Sequence, residues 1–157
     1  ILLNHKFKPG FTRHLHFGIQ QESFLCFVGY DHPPANIAKM ADGIPLTDAD
    51  RAPWLESLRT LIGSCLRTDK PGVLACSALK ERYRQTLLRG NPGTQLVYLK
   101  GSYNLIWSRM VSRPGHYMKP EMLKSQFDAL EEPRNALTID ISLSVEQIVN
   151  LLYEELA

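Results

Sequence analysis

Val73-Leu74-Ala75-Cys76 is the stretch that decides the fold, because this short apolar run stands between two amphipathic helical patterns. Before it, residues 50–66 place their apolar side chains on one stripe at helical spacing, and Pro71-Gly72 then breaks the chain. After it, residues 78–88 return to a helical pattern. A buried strand between helices predicts a β-α-β arrangement and a parallel sheet.

The same alternation continues to the end of the chain. Further strands are predicted at residues 96–99 and 137–141. Further helices are predicted from Ser102 to Met110, from Pro120 to Leu130, and after Ser144 to the end of the chain. Thr47 with Asp50 three residues later predicts a capping box at the start of the long helix. These elements predict one α/β domain over residues 1–157.

The first thirty residues follow a different pattern. Residues 1–3 and 24–28 are candidate strands, but residues 4–22 between them lack helical periodicity. A parallel sheet needs a crossover at this point, and the sequence does not supply an obvious one.

Composition excludes several classes of protein. The 157 residues are 44% hydrophobic and 22% charged, which suits one globular domain, and no apolar run is long enough to span a membrane. Three cysteines without metal-ligand spacing argue against a disulfide framework or a zinc site and favour a reducing, cytoplasmic compartment. The pair His14 and His16 is interpreted as loop histidines and not as a metal site.

The net charge of +2 is unevenly distributed. Residues 1–21 hold three of the 18 Lys and Arg residues and none of the 16 Asp and Glu residues, so the remainder has 15 basic and 16 acidic residues. This balance is too weak to indicate a nucleic-acid partner, which needs a dense basic face.

Polar residues cluster at positions where a core would not need them. Ser77 and Lys80 follow a predicted strand at the head of a helix, where ligands bind in open α/β sheets. The cationic candidates are Lys39, Arg51, Lys80, Arg84, Arg109, Arg113 and His116. Together they favour an anionic ligand, although each taken singly is typical of a surface residue. Arg109 and Arg113, four residues apart and followed by Pro-Gly, are typical of a lid over phosphates.

Four ordered segments resemble the gluconokinase family of small P-loop kinases. They are residues 32–55 (His-Pro-x-x-Asn-x-x-Lys-Met through Asp-x-Asp-Arg-x-Pro-Trp-Leu), 76–84 (Cys-Ser-Ala-Leu-Lys-x-x-Tyr-Arg), 113–118 and 125–133, and Tyr98 to Ser102 also matches. The resemblance covers residues 31–157. It implies a three-layer P-loop-kinase-like fold, a parallel sheet flanked by helices, and a cytoplasmic homodimer with no nucleic-acid or membrane partner.

The same resemblance implies transfer of the ATP γ-phosphoryl group to the 6-hydroxyl of D-gluconate, with Mg²⁺. Arg109 would then lie against the adenine, and Arg113 would reach the transferring phosphate as the catalytic residue. The residues expected around the sugar acid are His32, Arg51, Ser77, Lys80, Arg84, His116 and Gln126. No protein ligand to a metal is expected.

The chain departs from the family in its first thirty residues. Phosphoryl transfer on this fold uses a Gly-x-x-x-x-Gly-Lys-Ser/Thr loop, and the chain contains no Gly-Lys dipeptide. Gly29-Tyr30-Asp31 stands where an acidic pair is expected. The abrupt change near residue 31 predicts an altered reading frame or start for residues 1–30, or a natural relative without the loop. Two further interpretations are a non-catalytic sugar-acid-binding or dimerising remnant and another small-metabolite P-loop kinase.

Overall fold

The computed structural model describes residues 2–4, 25–28, 32–68, 72–113 and 120–156. The strands in these ranges are β1 (Leu2–Asn4), β2 (Leu25–Val28), β3 (Gly72–Ala75), β4 (Gln95–Lys100) and β5 (Leu137–Asp140). The helices are α1 (Pro34–Ala41), α2 (Asp48–Arg67), α3 (Glu81–Leu88), α4 (Tyr103–Val111), α5 (Leu123–Asp128) and α6 (Val145–Leu156), and a 3-10 turn spans Pro120–Met122. The predicted α/β class is confirmed.

The five strands form one sheet in the order β2-β3-β1-β4-β5. β2 pairs with β3 and β4 with β5 in the parallel sense, as predicted. The central strand β1 instead runs antiparallel to both neighbours, with Leu2 opposite Ala75 and Val97. The predicted parallel pairing therefore holds for β2 with β3 and for β4 with β5, and β1 makes the sheet mixed at its centre.

β1 and β2 run in opposite directions within the sheet. β1 ends with Asn4 opposite Val73, and β2 begins with Leu25 opposite Gly72, so both points lie at the same edge of the sheet. Strands of opposite direction need no helical crossover, whereas parallel neighbours do.

Two clusters of buried side chains hold the helices on the sheet. The first lies between α2, β3 and α3 and includes Leu58 and Leu87, whose side chains are fully buried. The second joins β4 and β5 to α6 through Val97, Ile139 and Leu152. Burying an aliphatic side chain of this size stabilises a fold by about 1.5–3 kcal/mol, so the first cluster fixes the elements that border the loop after β3.

Side-chain caps begin three helices where the sequence predicts them. Thr47 Oγ1 accepts from the N–H of Asp50 at 3.2 Å, and the Asp50 carboxylate accepts from the N–H of Thr47 at 2.8 Å, which confirms the capping box. Ser102 Oγ accepts from the N–H of Leu105, and Ser144 Oγ accepts from the N–H of Gln147. Such caps satisfy N–H groups that have no partner within the helix.

Three helical segments differ from the prediction. α1 is an additional helix, and it begins at Pro34. Proline is favoured in the first turn because it has no backbone N–H that would need a hydrogen-bond partner. α3 begins at Glu81 and not at Ala78, because Ala78 has a φ of +31°, which a right-handed helix does not allow. The segment predicted as one helix from Pro120 is a 3-10 turn followed by the short α5.

In the part of the chain that the structure describes, no helix is both long and apolar enough to span a bilayer.

Candidate active site

The loop between β3 and α3 carries two of the predicted site residues. β3 ends at Ala75, Ser77 is exposed, and Lys80 is the N-cap of α3, so both lie beyond the carboxyl end of the strand as predicted. Ala78 between them is buried and holds a positive φ that L-residues seldom adopt. Such strain persists only where surrounding contacts fix the backbone, and it is often found at functional sites.

Arg84 fixes this loop from inside the protein. Its side chain is 1% exposed, and Nη1 donates to the carbonyls of Ala78 at 3.0 Å and Leu79 at 2.9 Å. Nε and Nη2 donate to Glu81 Oε2 at 3.0 and 2.7 Å. The guanidinium therefore supports the backbone on which Ser77 and Lys80 stand, and direct contact of Arg84 with a ligand stays a prediction.

Tyr83 joins the loop to the start of α2. Its hydroxyl donates to the carboxylate of Asp48, the first residue of α2, and Arg51 Nη1 lies 3.4 Å from the same hydroxyl. Lys80 Nζ lies 3.7 Å from Asp48 Oδ1. The predicted cations Arg51 and Lys80 are thus brought together around one tyrosine.

Asp48 is the acidic group of this cluster. The hydrogen bond from Tyr83, together with the charges of Arg82 and Lys80, holds the pKa of Asp48 below its usual value. Asp48 is therefore ionised at neutral pH and offsets part of the local positive charge. Arg82 also donates to this carboxylate.

His32 stands beside the cations on the same side of α2. Its ring stacks on Trp54, with centroids 3.9 Å apart and planes at 22°, and its buried Nδ1 has no hydrogen-bond partner in the structure. Burial, with the positive charge of Arg51, lowers the pKa of His32 below 6.5. The imidazole is therefore neutral at neutral pH and available as a hydrogen-bonding group.

Other residues of the 32–55 segment seat α1 against α2. The buried Asn36 side chain donates to the carbonyl of Asp50 at 2.8 Å, and Lys39 Nζ donates to the Asp50 carboxylate at 2.7 Å. Hydrogen bonds from Lys39 and Thr47 strongly lower the pKa of Asp50. This network joins α1 to the start of α2, which accounts for Asn36, Lys39 and Asp50 without assigning them to a ligand.

The remaining predicted residues lie on another part of the molecule. Arg109 is exposed on α4 and donates through Nη2 to the carbonyl of Ile141 at 2.8 Å. Arg113 is also exposed and lies just beyond α4, which ends before Pro114 because a residue preceding proline disfavours helical geometry. Gln126 is half-buried on α5. His116 lies outside the described residues.

Aromatic contacts join α4 to α5. The Tyr103 ring meets the Phe127 ring edge-on with centroids 5.3 Å apart and stacks beside Trp107 at 6.1 Å. Gln126 and Arg109 therefore belong to two elements that pack on each other. Arg51 and Lys80 meet instead around Tyr83, with His32 beside Arg51 and Ser77 on the loop before Lys80.

The register of β1 separates its end from the site residues. The site residues Ser77 and Lys80 follow the carboxyl end of β3, whereas β1 ends with Asn4 opposite the starts of β3 and β4. Ser77 and Lys80 therefore lie at the edge of the sheet opposite to the end of β1. Across the same ranges, no group of three or more His, Cys, Asp or Glu side chains is arranged to hold a metal ion.

Sequence reasoning did not assign roles to Asp48, Tyr83 and Glu131, although all three stand within the quoted segments. Each acts through a partner 35 to 50 residues away, as in the hydrogen bonds from Tyr83 to Asp48 and from the N–H of Glu81 to Glu131. The sequence signal for these roles was the polar residue type at each of the three positions. Cys76 is buried, and burial raises the pKa of its thiol, which agrees with a packing role.

An α/β sheet with cationic and hydroxyl-bearing residues beyond one strand end is suited to binding a small anionic molecule. Thermoresistant gluconokinase of Escherichia coli K12 is 44% identical over 122 residues, 75% of this chain and 70% of that protein. An unliganded sugar kinase from Janibacter sp. HTCC2649 superposes with a TM-score of 0.75 at 37% identity, over 86% of this chain and 80% of its own. A gluconokinase from Sinorhizobium meliloti 1021 gives 0.65 at 40% identity, over 81% and 72%.

The chain belongs to the gluconokinase family, and its class of enzyme is carbohydrate kinase. The predicted family is therefore confirmed. No family model matches the chain.

Proposed function

We propose that this chain phosphorylates D-gluconate on its 6-hydroxyl, with ATP as the phosphoryl donor and Mg²⁺ as the accompanying metal ion. The observation that carries the proposal is that Arg51 and Lys80 both lie over the ring of Tyr83, within segments that match the gluconokinase family. His32 lies beside Arg51, and Ser77 stands on the loop that leads to Lys80. Gluconate is an anion with several hydroxyl groups, and these residues offer both cations and neutral hydrogen-bonding side chains.

Each side chain has a part suited to its chemistry. Arg51 and Lys80 bind the carboxylate of the sugar acid, and the neutral imidazole of His32 and the hydroxyl of Ser77 bind its hydroxyl groups. Arg84 contributes through the loop backbone that it supports. Gln126, and His116 outside the described residues, complete the sugar-acid set in this proposal.

The nucleotide supplies the transferring phosphoryl group when it is bound, and Arg109 and Arg113 are the residues proposed to meet it. Both guanidinium-bearing residues are exposed near the end of α4, where they are accessible to a ligand. Family membership supports this half of the proposal. The proximity of Arg51 and Lys80 at Tyr83 supports the sugar-acid half.

The test is calorimetric titration of the full chain with D-gluconate, followed by measurement of gluconate-dependent ADP formation. We expect saturable gluconate binding that Lys80→Ala weakens at least tenfold, as loss of a charge-assisted contact does. Lys124→Ala is the matched control, because Lys124 pairs with Asp128 on the exposed face of α5. Absence of gluconate binding, or equal binding of shikimate, would contradict the proposal.

Family resemblance further implies a single-domain homodimer in the cytoplasm. Sedimentation analysis of the purified chain tests the dimer, for which we expect a mass of twice 17.8 kDa.

A further inference from the structure

We propose that Glu131 is a positioning residue for the sugar-acid site, because it holds the N-terminus of α3 and thereby the loop that carries Ser77 and Lys80. This inference rests on the proposed function and adds to it a residue outside the group around Tyr83.

The start of α3 lacks a cap of its own. Lys80 is the N-cap residue, and its side chain makes no capping hydrogen bond. The N–H of Glu81 donates instead to Glu131 Oε2 at 2.6 Å, across 50 residues of chain. A carboxylate at a helix N-terminus is stabilised by the exposed N–H groups and by the helix dipole, so Glu131 supplies the missing cap from a distance.

Glu131 also contacts the backbone of the loop just before α3. Its backbone N–H donates to the carbonyl of Leu79 at 2.9 Å, the carbonyl that also accepts from Arg84. The strained turn at Ala78 is therefore fixed by Arg84 from the inside and by Glu131 from the outside. Ser77 and Lys80 flank that turn, so their positions depend on both contacts.

The place of Glu131 in the chain gives it a second connection. It follows α5, which carries Gln126 and whose Phe127 packs on Tyr103 of α4. Glu131 thus joins the part of the molecule that carries Arg109 and Arg113 to the loop that carries Ser77 and Lys80. A displacement of α5 would reach the loop through this residue.

The experiment compares Glu131→Ala, Glu131→Gln and Glu132→Ala in the full chain. Glu132 is the matched control, since it is the adjacent acid and pairs with Lys100 at 2.8 Å away from the loop. We expect Glu131→Ala to speed hydrogen exchange of the Glu81 amide roughly fivefold, the effect of losing an ordinary cap. We also expect it to weaken gluconate binding roughly fivefold for the same reason.

Glu131→Gln keeps an acceptor oxygen and should restore most of both losses, while Glu132→Ala should leave both quantities unchanged. Unchanged Glu81 exchange in Glu131→Ala would overturn the inference whatever the protein binds. Faster exchange with unchanged gluconate affinity would also overturn it, because Glu131 would then act on the helix alone. Failure of the unsubstituted chain to bind gluconate would instead overturn the proposed function, so the two failures are distinguishable.

Discussion

Arg84 and Arg51 come from neighbouring family segments, yet their guanidinium groups have different surroundings. Arg84 is buried and donates to two backbone carbonyls and to Glu81. Arg51 is half-buried and donates to the carbonyl of Leu46 at 2.6 Å, with Tyr83 and His32 nearby. Residue type and segment therefore do not separate a supporting arginine from a ligand-facing one, whereas burial and partners do.

Replacement of Arg84 should mainly affect stability. Arg84→Met leaves the carbonyls of Ala78 and Leu79 without their charged donor, and we expect a loss of about 2–4 kcal/mol in the free energy of unfolding. Chemical denaturation measures this quantity. Arg89→Met, at the C-cap of the same helix, is the control, because Arg89 is 70% exposed and should change stability by less than about 0.5 kcal/mol. Equal effects of the two substitutions would contradict the supporting role of Arg84.

Arg51 should control the titration of His32. Its positive charge is one of two causes that lower the pKa of His32, and burial is the larger, so Arg51→Met should raise that pKa without bringing it above 6.5. NMR titration of the imidazole measures the change, and Arg67→Met at the far end of α2 should leave the pKa as it is. A fall in the pKa of His32 in Arg51→Met would exclude the electrostatic contact.

The same shift has a consequence for stability against pH. The unfolded chain binds the proton of His32 with an ordinary pKa of 6.5, and the folded chain binds it with a lower one. Unfolding therefore takes up a proton as the pH falls below 6.5. The stability that His32 contributes is present above pH 6.5, and it is lost as the pH falls from 6.5 to the pKa of His32 in the folded chain. Comparison of unfolding free energies at pH 7.5 and 5.5, with and without His32→Gln, isolates this contribution.

At the scale of elements, a close approach fixes α2 against the turn that follows α3. A Cβ built on Gly63 in α2 would lie 2.9 Å from Oδ1 of Asn91 and 3.3 Å from Nη1 of Arg67. Asn91 is buried, and its amide donates to the carbonyls of Arg59 at 3.0 Å and Leu87 at 2.8 Å. Because both bonds would have to shift, the side chain of Asn91 has little freedom to make room.

Gly63→Ala should therefore destabilise the protein although alanine favours helices. The intrinsic gain of about 1 kcal/mol in a helix interior is outweighed by the contact with Asn91, and we expect a net loss of about 1–2 kcal/mol. Thermal unfolding measures whether the substitution lowers or raises stability. In the background of Asn91→Ala the same substitution should become neutral or stabilising, and a loss that persists there would place the clash elsewhere.

At the scale of the whole molecule, the direction of β1 decides at which edge of the sheet the central strand begins and at which edge it ends. The register pairs Asn4 with Val73 and Gln95, and Leu2 with Ala75 and Val97. A parallel strand in the same place would direct the following residues toward Ser77 and Lys80.

Cysteine pairs distinguish the two directions. In a background without Cys26, Cys65 and Cys76, Asn4→Cys with Val73→Cys should form a disulfide, since facing residues of antiparallel strands have Cα atoms about 4.5–5.5 Å apart. Asn4→Cys with Ala75→Cys is the matched control and should stay reduced, because these residues lie two positions out of register. Cross-linking of the control pair alone would indicate a parallel β1. Electrophoresis without reductant reads the result.

The sequence was sufficient where structure depends on near neighbours. Caps at Thr47, Ser102 and Ser144 are confirmed because cap and partner lie three residues apart. The apolar patterns located β3, β4 and β5, and the family segments placed Ser77 and Lys80 beyond a strand end.

The contacts that assemble the site were not available from the same patterns. The bonds of Tyr83 to Asp48 and of Glu131 to Glu81 join residues far apart in the chain, and periodicity carries no information on such pairs. The positive φ of Ala78 occurs at a residue type that seldom adopts it, so no local signal marks the late start of α3. An apolar run of three residues likewise does not encode the direction of β1.

The stacked pair of His32 and Trp54 gives the chain an optical reporter of its own site. A protonated imidazole in contact with an indole quenches its fluorescence, and the rings lie 3.9 Å apart. The chain has two tryptophans, so Trp107→Phe leaves Trp54 as the sole emitter at its wavelength. The fluorescence intensity of Trp54 then depends on the charge of His32. An anion that binds to the neighbouring cations changes that charge, so binding can be followed by fluorescence without label or coupling enzyme.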